Sequence, residues 1–238
     1  MNRLFKGFWL AAAVALVCCA PLAHATDTYT VTLTGVGNGF VMGGVYVSPY
    51  QGVVQENGVT IYSGYIICDD FETESNLNDT WDVGVGTTDP LNGQEKFNSP
   101  GSTYWDSTKT AQQDYDAVSW LALALLHNMN NEVLADEYSY AIWSIFDKAA
   151  IGHVTGVGAL SSTDVTNAVT ALITSAFNAG AYTGPTVNVY TPMINGRSQE
   201  FLSVSTPEAS AAMILGVNLF GLVGLVWLFR RRIAVGAR

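Results

Sequence analysis

The residues with the most evident chemistry stand together in one short segment, where a lone thiol is followed by a run of carboxylates. Cys68 is followed directly by Asp69 and Asp70, and Glu72 and Glu74 come shortly after. A thiol becomes a nucleophile when a neighbouring base activates it. Carboxylates bind Ca²⁺, or divide the roles of acid and base in sugar hydrolysis. The segment therefore raises three chemical hypotheses beside a purely structural one.

The spacing of the carboxylates favours a solvated acidic edge over a metal site. On a strand, Asp70, Glu72 and Glu74 would share one face, with Asp69 on the other. The run lacks the turn-forming glycine of EF-hand calcium loops. We therefore expect no metal and no cofactor. Ca²⁺ bound by these four residues is the weaker alternative, and a carboxylate pair for polysaccharide hydrolysis is the other.

The thiol itself favours a structural role. Cys68 is the only cysteine after residue 26, because Cys18 and Cys19 lie near the N-terminus. Free cysteine is among the most deeply buried residue types. A nucleophilic Cys68 would need a base, and His127 and His153 are the only histidines in this part of the chain. We expect both histidines to be solvated and Cys68 to pack in the core.

The remaining catalytic signatures are absent from the sequence. It contains no GxSxG, no HExxH, no Walker A motif and no cysteine pair with zinc-ligand spacing. We therefore expect no enzyme activity. A secreted hydrolase that acts on polysaccharide through the carboxylates of residues 69–74 remains the alternative.

Charge and the N-terminal sequence bear on location. Residues 27–208 contain all 20 acidic residues but only four basic ones, a formal charge of −16. Nucleic acid is excluded as a partner, because binding it requires clustered Lys and Arg.

Arg3 and Lys6 precede an apolar run, and Ala23 and Ala25 are the small residues that signal peptidase requires before Thr26. We predict a signal peptide over residues 1–25 and an exported chain that begins at Thr26.

The C-terminal sequence indicates a second targeting signal. Residues 209–229 are uncharged and would form a helix of roughly 31 Å, close to the thickness of a bilayer core. Arg230, Arg231 and Arg232 follow, and basic flanks stay on the cytoplasmic side. The pattern predicts a transmembrane helix within residues 206–232, with residues 233–238 cytoplasmic and the body of the protein outside.

This tail resembles the PEP-CTERM sorting signal of Gram-negative bacteria. The resemblance rests on Pro207 and Glu208, on the apolar span and on the arginine triplet, and Ala209 stands where the family has a second proline. It implies an exosortase-like enzyme as a partner and an intermediate held in the inner membrane by the C-terminal helix. Release to the cell surface or the medium would follow. An ordinary anchor that is never cleaved is the alternative.

Hydrophobic periodicity predicts the elements between these two signals. Alternation with a period of two predicts a strand at residues 29–34. Further strands are predicted at residues 45–47, 59–68, 187–190 and 200–204. Apolar positions with a helical period predict three helices, built on Tyr115 to Leu125, Leu134 to Ile145 and Val165 to Ala176. The order of strands, helices and strands predicts an α+β class. We expect a β-rich exported domain over residues 26–205 with an inserted three-helix segment, plus one C-terminal transmembrane helix.

Two segments of the body resemble the thioester (TQXA) domains of Gram-positive surface proteins. They are Ile67 to Phe71 and Tyr138 to Trp143. In that family a cysteine after a strand bonds to the glutamine of a Thr-Gln-x-Ala-[Ile/Val]-Trp motif. Cys68 matches the cysteine, but Ser139 stands where the glutamine must be. Because a serine has no carboxamide, the resemblance implies a thioester-like remnant at Cys68 and Ser139, with Ile142 and Trp143 in the core. Gln112 or Gln113 could substitute for that glutamine, although neither stands in the motif.

Together these observations predict a surface-sorted structural or extracellular-matrix-associated protein without catalysis. Extracellular polysaccharide is a candidate ligand, with Trp81, Tyr104 and Trp105 as the aromatic residues that could contact it. The alternatives are the polysaccharide hydrolase and a thioester-type adhesin.

Overall fold

The computed structural model describes residues 27–194 and 198–205. Six of its strands form a closed antiparallel barrel in the order β1-β4-β5-β8-β7-β6, and β2 and β3 form a separate hairpin. The strands are β1 Tyr29–Gly35, β2 Val41–Met42, β3 Val45–Tyr46, β4 Tyr50–Glu56, β5 Val59–Cys68, β6 Thr80–Thr87, β7 Val187–Pro192 and β8 Phe201–Val204.

Three α-helices and one 3₁₀ helix lie between β6 and β7. They are α1 Ala111–Asn128, α2 Glu132–Phe146, the 3₁₀ helix Lys148–His153 and α3 Ser162–Ala179. The three α-helices pack against one another and against the barrel wall, and their apolar faces form one core with residues of β5, β7 and β8. The three helices that the periodicity predicted are therefore present.

Strand alternation divides the interior into two cores. Cys68 of β5 and Phe201 of β8 face the barrel interior, together with Tyr50 and Val54 of β4. The next residue of β8, Leu202, faces the helices instead. All four residues of β8 are buried, because one face meets the barrel interior and the other meets the helical layer. This places the end of β5, and thus Cys68, between the two cores.

The predicted fold class was wrong in its architecture. The domain is not simply a β-rich α+β domain with an inserted three-helix segment, because its sheet closes into a six-stranded barrel. Two barrel strands, β4 and β6, were not predicted. Gly52 in β4, and Gly84 and Gly86 in β6, interrupt the alternation of large side chains by which strands are recognised. Since β6 pairs with both β1 and β7, missing it also hid the closure.

The fold-class prediction also included one C-terminal transmembrane helix, and the structure gives it no support. Across residues 27–194 and 198–205, no helix is both long enough and apolar enough to cross a bilayer. The predicted span, residues 209–229, lies outside the described residues, as do the predicted signal peptide and sorting motif.

Helix α3 begins and ends where its sequence indicated. The Ser161 hydroxyl accepts a hydrogen bond from the Asp164 amide at 3.2 Å, and the Asp164 carboxylate accepts one from the Ser161 amide at 3.1 Å. This reciprocal pair is a capping box. Gly180 follows the last turn with a φ of 75°, a backbone conformation that glycine adopts without strain.

Replacing the cap should weaken the domain measurably. We expect Ser161→Ala to lower the free energy of unfolding by about 1 kcal/mol, because the Asp164 amide loses its acceptor. Urea denaturation followed by far-UV circular dichroism measures the change. Ser162→Ala is the matched control, since Ser162 is an exposed first residue of α3. Equal denaturation midpoints for the two variants would contradict the role of the cap.

Candidate functional site

Cys68 is the last residue of β5, and its side chain is fully buried. Its amide donates a hydrogen bond to the Ser48 hydroxyl at 3.1 Å. Its thiol donates one to the Asp70 carbonyl at 3.2 Å, and the Asp70 amide donates one back to the sulfur at 3.4 Å. The thiol is therefore held by two hydrogen bonds to the backbone of Asp70, directly after the end of β5.

The surroundings of the thiol suppress its ionisation. Burial raises the pKa of Cys68 well above its usual range, and the carboxylates of Asp70 and Asp69 raise it further. A thiol in this state is a poor nucleophile, because the thiolate is the reactive form. His127 and His153 are both exposed, and within the described residues neither side chain is hydrogen-bonded to Cys68. No activating base is thus in place.

Ser139 lies on α2 and meets Cys68 through a shared neighbour. Its hydroxyl donates hydrogen bonds to the Ala135 carbonyl at 2.7 Å and to the Ser48 carbonyl at 3.4 Å. Ser48 also bonds to Cys68, so the two positions that resemble the thioester motif do come together. Ile142 and Trp143 are buried beside them, at 0% and 2% exposure.

The glutamines named from the sequence are held elsewhere. Gln112 donates to the Thr88 carbonyl at 2.7 Å, and Gln113 closes the capping box of α1 with Thr110. A different glutamine approaches the thiol. The Gln199 carboxamide donates to the Asp70 carbonyl at 3.1 Å, and this is the oxygen to which the Cys68 thiol also donates.

The four carboxylates that follow Cys68 do not share one environment. Asp69 and Asp70 are fully buried, whereas Glu72 and Glu74 are exposed. The strand ends at Cys68, so the shared strand face expected for residues 70, 72 and 74 does not exist. Among the described residues, no group of three His, Cys, Asp or Glu side chains is arranged to hold a metal.

Glu200 lies at the centre of a buried polar cluster that the sequence did not reveal. Its carboxylate accepts hydrogen bonds from the Tyr115 hydroxyl at 2.5 Å, from the Lys96 amide at 2.8 Å and from the Thr191 hydroxyl. Asp69 lies near it, and neither carboxylate oxygen of Asp69 has a hydrogen-bond partner within the described part of the chain. Only the placement of a glutamate beside the apolar residues Phe201 and Leu202 signalled this cluster in the sequence.

The two adjacent acids differ in what opposes the rise of their pKa values. Burial raises the pKa of Asp69 well above its usual range, and Glu200 and Asp70 raise it further. Burial also raises the pKa of Glu200, but the hydrogen bonds from Thr191 and Tyr115 act in the opposite direction. An ionised carboxylate without a donor is costly to bury. We conclude that Asp69 is the protonated member and Glu200 the ionised one.

Asp70 is paired instead with a base. The Lys96 ammonium lies 2.5 Å from the Asp70 carboxylate and 2.8 Å from the Thr73 hydroxyl. The Asp70 side chain is 1% exposed and that of Lys96 is 20% exposed. Lys96 was one of only four basic residues in the acidic part of the chain, yet no local pattern marked it.

The aromatic residues proposed to contact polysaccharide are largely packed. Tyr104 is 6% exposed, and its ring lies 5.5 Å from that of Phe146. The Trp81 ring lies 5.7 Å from that of Phe201, and Trp105 packs against the helical core. Of the aromatic side chains that the structure describes, Tyr46 on the β2–β3 hairpin is the large exposed one, at 49%.

Comparisons with known proteins give a structural similarity without a sequence family. No family model matches the chain, and no curated protein matches its sequence. The fold is similar to the N-terminal thioester domain of the fibronectin-binding protein SfbI from Streptococcus pyogenes, with 11% identity over 79% of this chain and 97% of that one and a TM-score of 0.42. It is also similar to the N-terminal thioester domain of a surface protein from Clostridium perfringens, with 13% identity over 76% and 99% and a TM-score of 0.44.

A third similar structure is the N-terminal domain of the Streptococcus pyogenes pilus tip adhesin Cpa. It is 10% identical over 77% of this chain and 96% of that one, with a TM-score of 0.45. These neighbours include the kind of domain that the Cys68 and Trp143 segments resemble. Identities of 10–13% and TM-scores below 0.5 are too low to transfer an activity.

Proposed function

We propose that this chain is a non-catalytic structural module of an exported protein, displayed at the cell surface or in the extracellular matrix. The chain would be cut before Thr26 by signal peptidase. An exosortase-like enzyme would sort it through Pro207, Glu208 and the arginine triplet. No cofactor is needed, and extracellular polysaccharide is the proposed class of partner.

The burial and hydrogen bonding of Cys68 and Ser139 are the observations that support the non-catalytic part of this proposal. The thiol is fully buried and hydrogen-bonded to backbone, and Ser139 has its hydroxyl bonded to two carbonyls. A serine at this position cannot supply the carbonyl carbon that a thioester requires. In this proposal the end of β5 and helix α2 are held together by packing and hydrogen bonds, without a reactive bond at Cys68.

The hydrolase alternative is less compatible with this geometry. A polysaccharide must contact both catalytic carboxyl groups. Asp69 and Asp70 are buried, and Asp70 is paired with Lys96. Only Glu72 and Glu74 of the run face solvent.

Thiol labelling tests whether Cys68 is a buried structural residue. We expect iodoacetamide to leave the folded protein unmodified and to label one thiol per mature chain after unfolding in guanidinium chloride, because burial and the raised pKa both protect the sulfur. The mature form that lacks residues 1–25 should be used, and Cys68→Ser should show no labelling in either state. Rapid labelling of the folded protein would contradict the proposal.

A thioester-type adhesin is the second candidate, and one observation favours it. Gln199 and Cys68 both donate to the Asp70 carbonyl, which brings a carboxamide close to the thiol from outside the motif. Attack of the sulfur on that carboxamide would form a carbon–sulfur bond and release ammonia. The product would be an electrophile for an amine on a partner surface.

Intact mass separates the two candidates. A thioester predicts the loss of one ammonia, which Gln199→Ala would abolish, and resistance to alkylation even after unfolding. Gln112→Ala is the matched control, because its carboxamide bonds to Thr88 and Asp116 and should not affect the bond. Retention of the ammonia in the mature wild-type chain excludes the thioester.

A further inference from the structure

The Lys96–Asp70 contact is the most unusual ionic contact in the domain. Two ion pairs occur among the described residues, and they differ sharply. Lys109 and Asp106 lie 4.0 Å apart with side chains 33% and 38% exposed, as expected of a weak surface pair. Lys96 and Asp70 lie 2.5 Å apart, and the carboxylate is almost completely removed from water.

Both partners of this pair are held in place by their surroundings. The Asp70 carbonyl accepts from Gln199 and the Asp70 amide donates to the sulfur of Cys68. Its second carboxylate oxygen accepts from the Thr73 amide at 3.3 Å. The Lys96 amide donates to Glu200, so the lysine backbone is anchored at the buried acid cluster. The lysine nitrogen is therefore held in contact with an oxygen of the carboxyl group, and such fixed positioning favours a reaction between the two groups.

We propose that Lys96 and Asp70 are joined by an isopeptide bond. The Lys96 Nζ attacks Cγ of Asp70, a carbon–nitrogen bond forms and a carbon–oxygen bond breaks. The original ammonium gives up two protons and keeps the third on the amide nitrogen, and the departing oxygen leaves with two protons as water. The ammonium and the carboxylate thus become one neutral amide plus water, and no oxidant or co-reactant is required.

Burial favours this condensation over the ion pair. Taking two charges out of water costs free energy that their attraction only partly returns, whereas an amide carries no net charge. Lys96 Nζ also lies 5.4 Å from the centre of the Phe97 ring, which adds an apolar surface on that side. Burial therefore raises the free energy of the ion pair more than that of the neutral amide.

The buried acids beside the pair can move the protons. Asp69 precedes Asp70 in the chain and is protonated, because burial raises its pKa and no donor among the described residues stabilises its charge. It can give a proton to the departing oxygen. Glu200 is ionised and accepts a hydrogen bond from the Lys96 backbone amide at 2.8 Å, so a second buried acid lies beside the lysine. The proposal therefore gives the buried acids a role in proton transfer during formation of the amide.

Such a bond would supply a cross-link that the exported chain otherwise lacks. The two residues are 26 positions apart, and the bond would tie the end of β5 to the loop that follows β6. After residue 26 the chain contains a single cysteine, so a disulfide within the chain is excluded. Closing a loop of this length restricts the unfolded chain in the way that a disulfide does.

Intact mass of the unfolded, reduced full-length protein tests the proposal. We expect the wild-type mass to be one water below that of its sequence. Lys96→Arg should restore the full mass, because a guanidinium cannot form this amide. Lys109→Arg, the control at the surface ion pair, should keep the loss of water.

Asp70→Asn provides a sharper check. An asparagine can form the same amide with Lys96 by releasing ammonia instead of water, so its cross-linked product has the same mass as the cross-linked wild type. Proteolysis should yield a branched peptide in both proteins that joins the segments around residues 70 and 96. Because mass is read on unfolded chains, poor folding of a variant does not affect the wild-type result.

Three results would contradict the isopeptide bond. A wild-type mass equal to that of the sequence, with Lys96 and Asp70 recovered in separate linear peptides, would show an ion pair only. A water loss that persists in Lys96→Arg would place the lost water elsewhere. A loss of ammonia in the wild type would indicate the Cys68 thioester and not this bond.

Discussion

Replacing Glu200 by alanine is expected to destabilise the domain by about 3 to 5 kcal/mol, because it leaves three donors, two of them buried, without their acceptor. These donors are the Tyr115 hydroxyl, the Thr191 hydroxyl and the Lys96 amide. Glu200 is fully buried, so water cannot replace the carboxylate without reorganising the barrel end. Urea denaturation of wild type and variant, followed by tryptophan fluorescence, measures the difference.

Controls for this prediction use the same residue type. Glu74→Ala removes an exposed carboxylate and should change the free energy of unfolding by less than about 0.5 kcal/mol. Glu200→Gln keeps the shape of the side chain but places an amide group near donors, and we expect about 1 to 3 kcal/mol. Tyr115→Phe combined with Glu200→Ala should cost less than the sum of the two single variants. A Glu200→Ala midpoint equal to that of Glu74→Ala would refute the central position of this cluster.

Raising the pH from about 4 to 8 should progressively destabilise the domain through two further buried acids. Burial raises the pKa of Asp114 to about 7, with Asp106 adding to the effect. Burial likewise raises the pKa of Asp136 to about 7, with Glu132 and Glu137 adding to it. Neither carboxylate has a hydrogen-bond partner within the described residues. Both groups are therefore neutral in the folded protein at acidic pH.

The direction of this pH effect follows from proton binding. The folded state holds these two protons up to about pH 7, whereas the unfolded chain releases them near pH 4. Their contribution to stability is complete below the pKa of the unfolded chain and is lost as the pH rises through about 7. Asp69, whose pKa is also raised, acts in the same direction.

Asparagine substitutions isolate the effect. At pH 8 we expect Asp114→Asn and Asp136→Asn each to raise the free energy of unfolding by about 1 to 2 kcal/mol, less than full linkage would give because water screens part of each group. Near pH 3.5 the variants should match the wild type. Asp82→Asn, at an exposed aspartate, is the control. Equal stability of wild type and variants at pH 8 would contradict the prediction.

The sequence predicted those parts of the fold that depend on local pattern. Helix α3 was recognisable because its cap at Ser161, its apolar stripe and its terminal Gly180 all lie within one short stretch. Strands β4 and β6 were missed because glycines replace large side chains at several of their positions. The closure of the barrel depends on pairing between β1 and β6, which no local period encodes.

In the candidate site, too, the sequence predicted the contacts that local motifs indicate and missed those that depend on the tertiary fold. Cys68 and Ser139 could be paired in advance because each lies in a recognisable motif, and the structure does bring them together through Ser48. The contact of Lys96 with Glu200 could not, since the two residues are 104 positions apart, Lys96 lies in no pattern, and the strand predicted at residues 200–204 does not reveal the partner of Glu200. Buried polar clusters of this kind depend on the tertiary fold, so single-sequence reasoning finds their members only after the fold is known.

The most direct test of the account is the intact mass of the native protein purified from its own cells, compared between the membrane, surface and medium fractions. The account predicts a chain in the surface or medium fraction that begins at Thr26, ends near Pro207 or Glu208 and has lost no ammonia. A chain found only inside the cell and still running from Met1 to Arg238 would contradict export and sorting. An exported chain that lacks one ammonia would instead contradict the structural role of Cys68 and establish a thioester.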